Sequence, residues 1–263
     1  MMSSWRCSMK PLLRYELFYF TKTSRLIVLG AVAFILSALA ALSARYMHEI
    51  LAYVFRQEGI EPPPMDPVTV ADAYVEFFSQ YAQIYVLVLL FIAVGAFTHD
   101  RTKNHYPFIF SHGTRKNHYV SAKFIMIVAA MLVSLAVGVL SFFFYAQVLF
   151  GTFDFLRFFG GVALFVLFMI FLIVFAGLVT FATGSYVIGL VVSIGAYILM
   201  TSITFVDFGV FGYLPNQLIN QANLFVVGDG EPRVLFMTSL ISVVVTVLLY
   251  LATLKVFSRK PLS

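Results

Sequence analysis

The residues of this chain best suited to chemistry are its histidines. His99, His105, His112 and His118 fall within residues 99–123 at spacings of six or seven. Imidazole binds transition metals, but a closed site needs cysteines, carboxylates or further histidines to complete it. The stretch supplies no cysteine and one acid, Asp100, so these side chains are read as a polar contact surface and no metal is expected. The single cysteine, Cys7, excludes an intramolecular disulfide and any cysteine cluster, and is read as a free thiol without a role. No Gly-Lys dipeptide occurs, so the phosphate-cradling GxxxxGK[ST] loop is absent, and there is no HExxH or GxSxG sequence. The chain therefore shows no means of hydrolysing ATP and no catalytic constellation, and no catalytic residue is assigned.

Two other patterns carry information. Within residues 99–123, Tyr106, Phe108, Ile109 and Phe110 are flanked by Lys103, Arg115 and Lys116. Pro107 suits the first turn of a helix and Gly113 its end. This predicts a short helix with exposed aromatics beside basic residues, able to dock a partner; the alternative is a loop packed on its own helix ends and lipid head groups. The second pattern is a four-residue repeat of small side chains in apolar segments: Ala33, Ser37 and Ala41, and then Ser185, Gly189 and Ser193, continued by Tyr197 and Thr201. Such stripes let membrane helices approach closely. Ser37, Gly189, Ser193, Tyr197 and Thr201 are accordingly assigned to a dimer interface or a substrate pathway.

The elements that must position these residues follow from composition. Of the 263 residues 61% are hydrophobic and 11% charged, with a mean hydropathy of +0.95. Soluble domains carry about 25% charged residues, so the solvent for much of this surface is lipid. Spanning a bilayer takes about 20 apolar residues in helix. Six segments qualify, near 26–44, 81–98, 124–145, 158–182, 186–206 and 234–254, and none contains Asp, Glu, Lys or Arg. Twenty-five residues precede the first, and its apolar run exceeds that of a signal peptide, so it is read as a retained span. Thirteen Lys and Arg residues lie on one side of the predicted topology, against Arg45, Arg56, Arg157 and Arg233 on the other. The positive-inside bias places both termini in the cytoplasm, consistent with an even number of spans, which keeps them on one side. The net charge of +5 is explained by this topology rather than by nucleic acid. With no ionisable residue in the middle of a span, proton-coupled transport and intramembrane proteolysis lose their usual groups.

Residues 1–263 thus read as one transmembrane domain. Residues 9–25 form an interfacial amphipathic helix, with Ser8 as a cap, Arg14, Thr21 and Arg25 on one face and Leu13, Leu17 and Phe20 on another. The external loop 45–80 is acidic and is broken by Pro62, Pro63 and Pro64 into short helices near 46–57 and 68–80. The external loop 207–233 mixes Phe208, Phe211, Tyr213 and Leu214 with Pro215, Asn216, Gln217, Asn220 and Asn223, which predicts a surface-lying or re-entrant segment.

In layout the chain resembles ABC-2 type permeases, the membrane subunits of ABC exporters. The resemblance in layout covers the whole chain; in motif it is confined to 99–123. Asp100 and Arg101 match the acid-Arg pair that ends the family's second span. Tyr106 to Ser111 match its amphipathic stretch, Thr114 and Arg115 the end of its turn, and Lys123 its Lys at the start of the third span. Lys103 and Asn104 stand where a Gly is common, and His112 near the usual Pro. The resemblance implies an all-α membrane protein of six spans, with an N-terminal elbow helix and a cytoplasmic coupling helix. It implies a partner, a cytoplasmic ABC ATPase that binds ATP and Mg and touches Arg101, Lys103, Tyr106, Phe108, Phe110 and Arg115. A second copy or a homologous permease would complete the path in the plasma membrane, and the chain itself would bind no cofactor. The apolar, aromatic and hydroxylic residues on the pathway favour lipids, hydrophobic peptides or drug-like amphiphiles as substrate. A six-span enzyme, an ion-coupled carrier or a non-transporting scaffold are the competing readings.

Overall fold

A computed structural model describes residues 9–59, 61, 67–111, 113–203 and 213–259. Cys7, Ser8, Pro62 to Pro64, His112, Phe208 and Phe211 lie outside the described residues. Among those described there is helix and no strand. In chain order the helices are α1 (Lys10–Lys22), α2 (Arg25–Gln57), α3 (Val70–Gln80), a π-helical turn (Tyr81–Tyr85), α4 (Val86–Thr102), α5 (Tyr106–Ser111), α6 (Lys116–Phe150), α7 (Phe155–Thr183), α8 (Tyr186–Ile203), α9 (Gln217–Val227) and α10 (Pro232–Arg259). Six of these rods are long and apolar enough to cross a membrane: α2, the continuous Val70–Thr102 unit, α6, α7, α8 and α10. The chain is an all-α, multi-pass membrane protein.

Hydropathy located the spans but not their ends. Both stretches expected to be helical, 46–57 and 68–80, are helical, but neither stands apart from a span: the first is the end of α2, and α3 runs on through the π turn into α4. Hydropathy drops at Arg45, but nothing there interrupts the i→i−4 hydrogen bonds, so α2 runs on until Glu58 and Gly59, the latter at φ +72°. At 33 residues and about 1.5 Å per residue, α2 is about 50 Å long, well beyond the roughly 30 Å hydrocarbon core. The α3–α4 rod starts at a capping box, in which Thr69 N and Oγ1 both donate to Asp72 Oδ2 at 2.8 Å. Gly151 and Gly184, at φ +71° and +69°, end α6 and α7 in the left-handed conformation that glycine tolerates best.

The core is aromatic. Tyr74, Phe77, Phe78, Tyr81 and Tyr85 pack against Phe142 of α6 and Phe158 and Phe165 of α7, all fully or almost fully buried. Their hydroxyls are satisfied: Tyr74 Oη accepts from Asp154 N at 2.7 Å, Tyr81 Oη donates to Ala33 O at 2.9 Å, and Tyr85 pairs with Ser134. The stripe of Ala33, Ser37 and Ala41 is buried here. It lets α2 close on α6, with Ser37 Oγ 2.9 Å from Tyr81 Oη and Gly138 of α6 making room for that hydroxyl. The predicted surface-lying segment becomes α9, which presses Phe225 and Val226 onto Gly160 and Gly161 of α7.

Candidate functional site

One end of the bundle gathers α1, the end of α4, α5, the start of α6 and the end of α10. Residues four apart on α6, Tyr119 and Lys123, share a helix face and both reach Asp100 on α4. Lys123 Nζ lies 2.7 Å from Asp100 Oδ2 and 2.7 Å from Glu16 Oε1 of α1, and all three side chains are sealed from solvent. Tyr119 Oη donates to Asp100 Oδ2 at 2.8 Å, and Tyr15 Oη to Asp100 Oδ1 at 2.9 Å. The two carboxylates are served unequally: Asp100 receives two hydroxyls and an ammonium, whereas Glu16 Oε2 is buried without a hydrogen-bond partner. Burial accordingly raises the Glu16 carboxyl above its ordinary value, with the Lys123 charge opposing. Burial and the Asp100 charge raise the Tyr15 hydroxyl, so it stays a proton donor.

An aromatic cluster sits against this ion cluster. Tyr106 and Phe110 of α5 turn inward onto Tyr119, with ring centroids at 5.8 and 5.5 Å, and Phe257 of α10 stacks on Tyr119 at 5.7 Å. Lys116 Nζ donates to Ser258 O at 3.1 Å, tying α6 to the end of α10. Helix α5 forms where Pro107 and Gly113 predict it, with Gly113 at φ +77°. Its backbone is pinned by His105 N donating to Asp100 O at 2.8 Å. Of the three aromatic residues assigned to partner contact, only Phe108 is on the surface, 71% exposed. Arg101, Lys103 and Arg115 are exposed around it.

The arrangement ties α1, α4 and α6 together through buried charges. Lys123 is held between two carboxylates. His99, Asp100 and His105 place ligand atoms within 4.8 Å of one another. The Asp100 oxygens, however, already take Tyr15, Tyr119 and Lys123, and a metal cation would compete with the ammonium for the same carboxylate. His118 stands apart from this trio.

The residues assigned to a pathway or dimer interface pack within the chain. Ser37 meets Tyr81. A Cβ on Gly189 would lie 2.6 Å from Thr180 Oγ1 of α7 and 3.2 Å from Val94 of α4. Ser193 is buried and donates to Gly189 O at 2.6 Å, and Tyr197 Oη donates to Ala82 O in the π turn. Thr201 is half-buried and bonds back into its own helix. This face of α8 is filled by α4, the π turn and α7, while Val187, Ile188, Val191, Ile198 and Leu199 face outward.

The face expected on α1 is also shifted. Phe20 is buried, but Leu17 is exposed and Glu16 takes the innermost place, because Lys123 supplies the countercharge that an acid needs there. Nothing in the sequence pattern singles out Glu16; its one signal is that it is the only acid among the basic and apolar residues of 9–25. Neither a protein-family model nor a curated protein sequence matches the chain, so its functional reading rests on residues and geometry.

Proposed function

We propose that the chain is the membrane-spanning permease subunit of an ATP-driven exporter of the ABC-2 type. The observation that carries this reading is α5. This six-residue helix offers Phe108 outward amid Arg101, Lys103 and Arg115. Its other aromatics are fastened onto a cluster that joins α1, α4, α6 and α10. A push on α5 is therefore delivered to the ends of three spans and to α1 at once, as a coupling helix and its elbow helix would require. Helix α1, the end of α10 and α5 share this side of the bundle, which the positive-inside bias assigns to the cytoplasm of a plasma-membrane protein. ATP and Mg would be bound by a separate ABC ATPase, and a second copy or homologous permease would meet the outward apolar faces. A hydrophobic or amphipathic cargo is the class that so apolar and aromatic-rich a chain would carry.

The test is affinity purification of the full chain from its own host's membranes, with mass spectrometry of stoichiometric partners. An ABC ATPase is expected, and Phe108→Ala should lower its yield, since truncating an aromatic anchor often costs about 2 kcal/mol or more. Phe110→Ala should instead destabilise the chain itself. An ATPase yield unchanged in the Phe108 variant would remove α5 as the contact, and purification without any ATPase would remove the exporter reading.

A further inference from the structure

On the same side of the bundle, but facing outward, α2, α4 and α8 enclose a groove of about 560 Å³. Its outer end carries Arg25 and His99, and its inner end Phe91 and Ile92, with Gly95 between them and Tyr186 as one wall. We infer that this groove is a binding site for one anionic phospholipid, with the phosphodiester on Arg25 and an acyl chain on Phe91 and Ile92. This inference rests on the six-span fold alone, and not on the exporter reading.

Arg25 carries the argument. Its guanidinium lies against the Tyr19 ring, 4.8 Å from the centroid, and its Nη1 is buried with no hydrogen-bond partner. Among the described residues no carboxylate lies within ion-pair distance of it: the close ion pairs of this end use Lys123, and Glu16 acts on Arg25 only at longer range. A half-buried guanidinium with one sealed, unpartnered nitrogen and no close countercharge is costly, and the space beside it is the groove. Gly95 keeps that space open, since a Cβ there would already be 3.5 Å from Arg25 Nη2 and 3.7 Å from the Tyr186 ring.

Shape selects the class of ligand. His99 and Phe91 are eight residues apart on α4, about 12 Å at 1.5 Å per residue. The groove therefore runs from a polar mouth into an apolar floor over more than the size of a phosphate ion. Arg25 starts one span, His99 lies near the end of a second and Tyr186 starts a third, so the polar mouth is at head-group level and the floor at acyl level. A zwitterionic head group brings its own cation to a site that already has one, whereas an anionic head group leaves its charge for Arg25.

Native mass spectrometry and thermal unfolding of the full chain in detergent, titrated with phosphatidylglycerol, phosphatidylcholine or inorganic phosphate, test this. Phosphatidylglycerol should bind about tenfold more tightly than phosphatidylcholine, as one charge-assisted contact allows, and inorganic phosphate should not stabilise. Arg25→Gln should bring the two lipids to parity. Gly95→Leu, which keeps the arginine but fills the groove, should weaken phosphatidylglycerol binding in a chain that still folds. Equal binding of the two lipids to the unaltered chain would overturn the site. So would a preference that survives Arg25→Gln or Gly95→Leu, or stabilisation by inorganic phosphate equal to that by lipid.

Discussion

Lys123 is the residue on which the charged end of the bundle depends. Removing one partner of a buried ion pair leaves an uncompensated charge and costs about 3–5 kcal/mol. Lys123→Met strands two carboxylates, Glu16 and Asp100, so a loss of that size is expected in thermal or denaturant unfolding. Glu16→Gln should cost less, because Asp100 keeps the ammonium and its two tyrosine hydroxyls. The same carboxyl gives a pH signature. Its folded-state pKa is raised by burial, so above the ordinary carboxylate value there is a window in which the folded chain holds a proton that the unfolded chain has lost. Stability must fall as pH rises through that window, and melting temperatures measured across it should slope downward in the native chain and less so in Glu16→Gln. A slope unaffected by that substitution would assign the titration elsewhere. Asp100 and Lys123 were legible in the sequence as span-terminal charges. Their pairing with Glu16 was not, because it joins positions far apart in the chain, and the exposed face of α1 mixes Leu17 and Phe18 with Arg14 and Lys22, so the sequence does not mark which side turns inward.

At the scale of elements, the Tyr81–Gly138 contact sets how closely α2, α6 and the π turn pack. A Cβ at 138 would overlap the Tyr81 hydroxyl, so Gly138→Ala should destabilise by about 1–3 kcal/mol through overpacking. Tyr81→Phe alone should cost about 1 kcal/mol for its lost hydrogen bonds. In the double variant the hydroxyl is gone and the two penalties should fall short of additivity, measurable as a double-mutant cycle by unfolding. Full additivity would mean that the helices shift instead. The sequence announced six spans because about 20 apolar residues suffice to mark one. It did not announce their extensions, because hydropathy responds to Arg45 or Glu76 while the backbone ladder does not. It also did not announce where the Ser185–Thr201 face points, since a stripe of small residues fits a neighbouring span of the same chain as well as a second copy. Here Thr180, Val94 and Ala82 occupy it.

For the whole molecule, α1, α5 and the ends of α4 and α10 lie together through the Glu16–Lys123 and Lys116–Ser258 contacts, while α9 caps the opposite end. Single cysteines in a background lacking Cys7 should therefore divide into two classes in intact cells. Positions 104 and 259 should resist a membrane-impermeant maleimide, and exposed Asn220 of α9 should react. Labelling at 104 with protection at 220 would reverse the assigned orientation. The turn at Gly184 extends this to how the protein is made. Only Gly184 and Ser185 separate α7 from α8, and α8 buries its Gly189, Ser193 and Tyr197 on partners from α4, the π turn and α7. So short a turn leaves no soluble stretch between the two helices, and insertion of α7 and α8 as one hairpin is the expected outcome, to be checked by glycosylation-site mapping of chains truncated after α7 and after α8. Were they inserted together, a failure at this turn would remove both helices from the membrane at once.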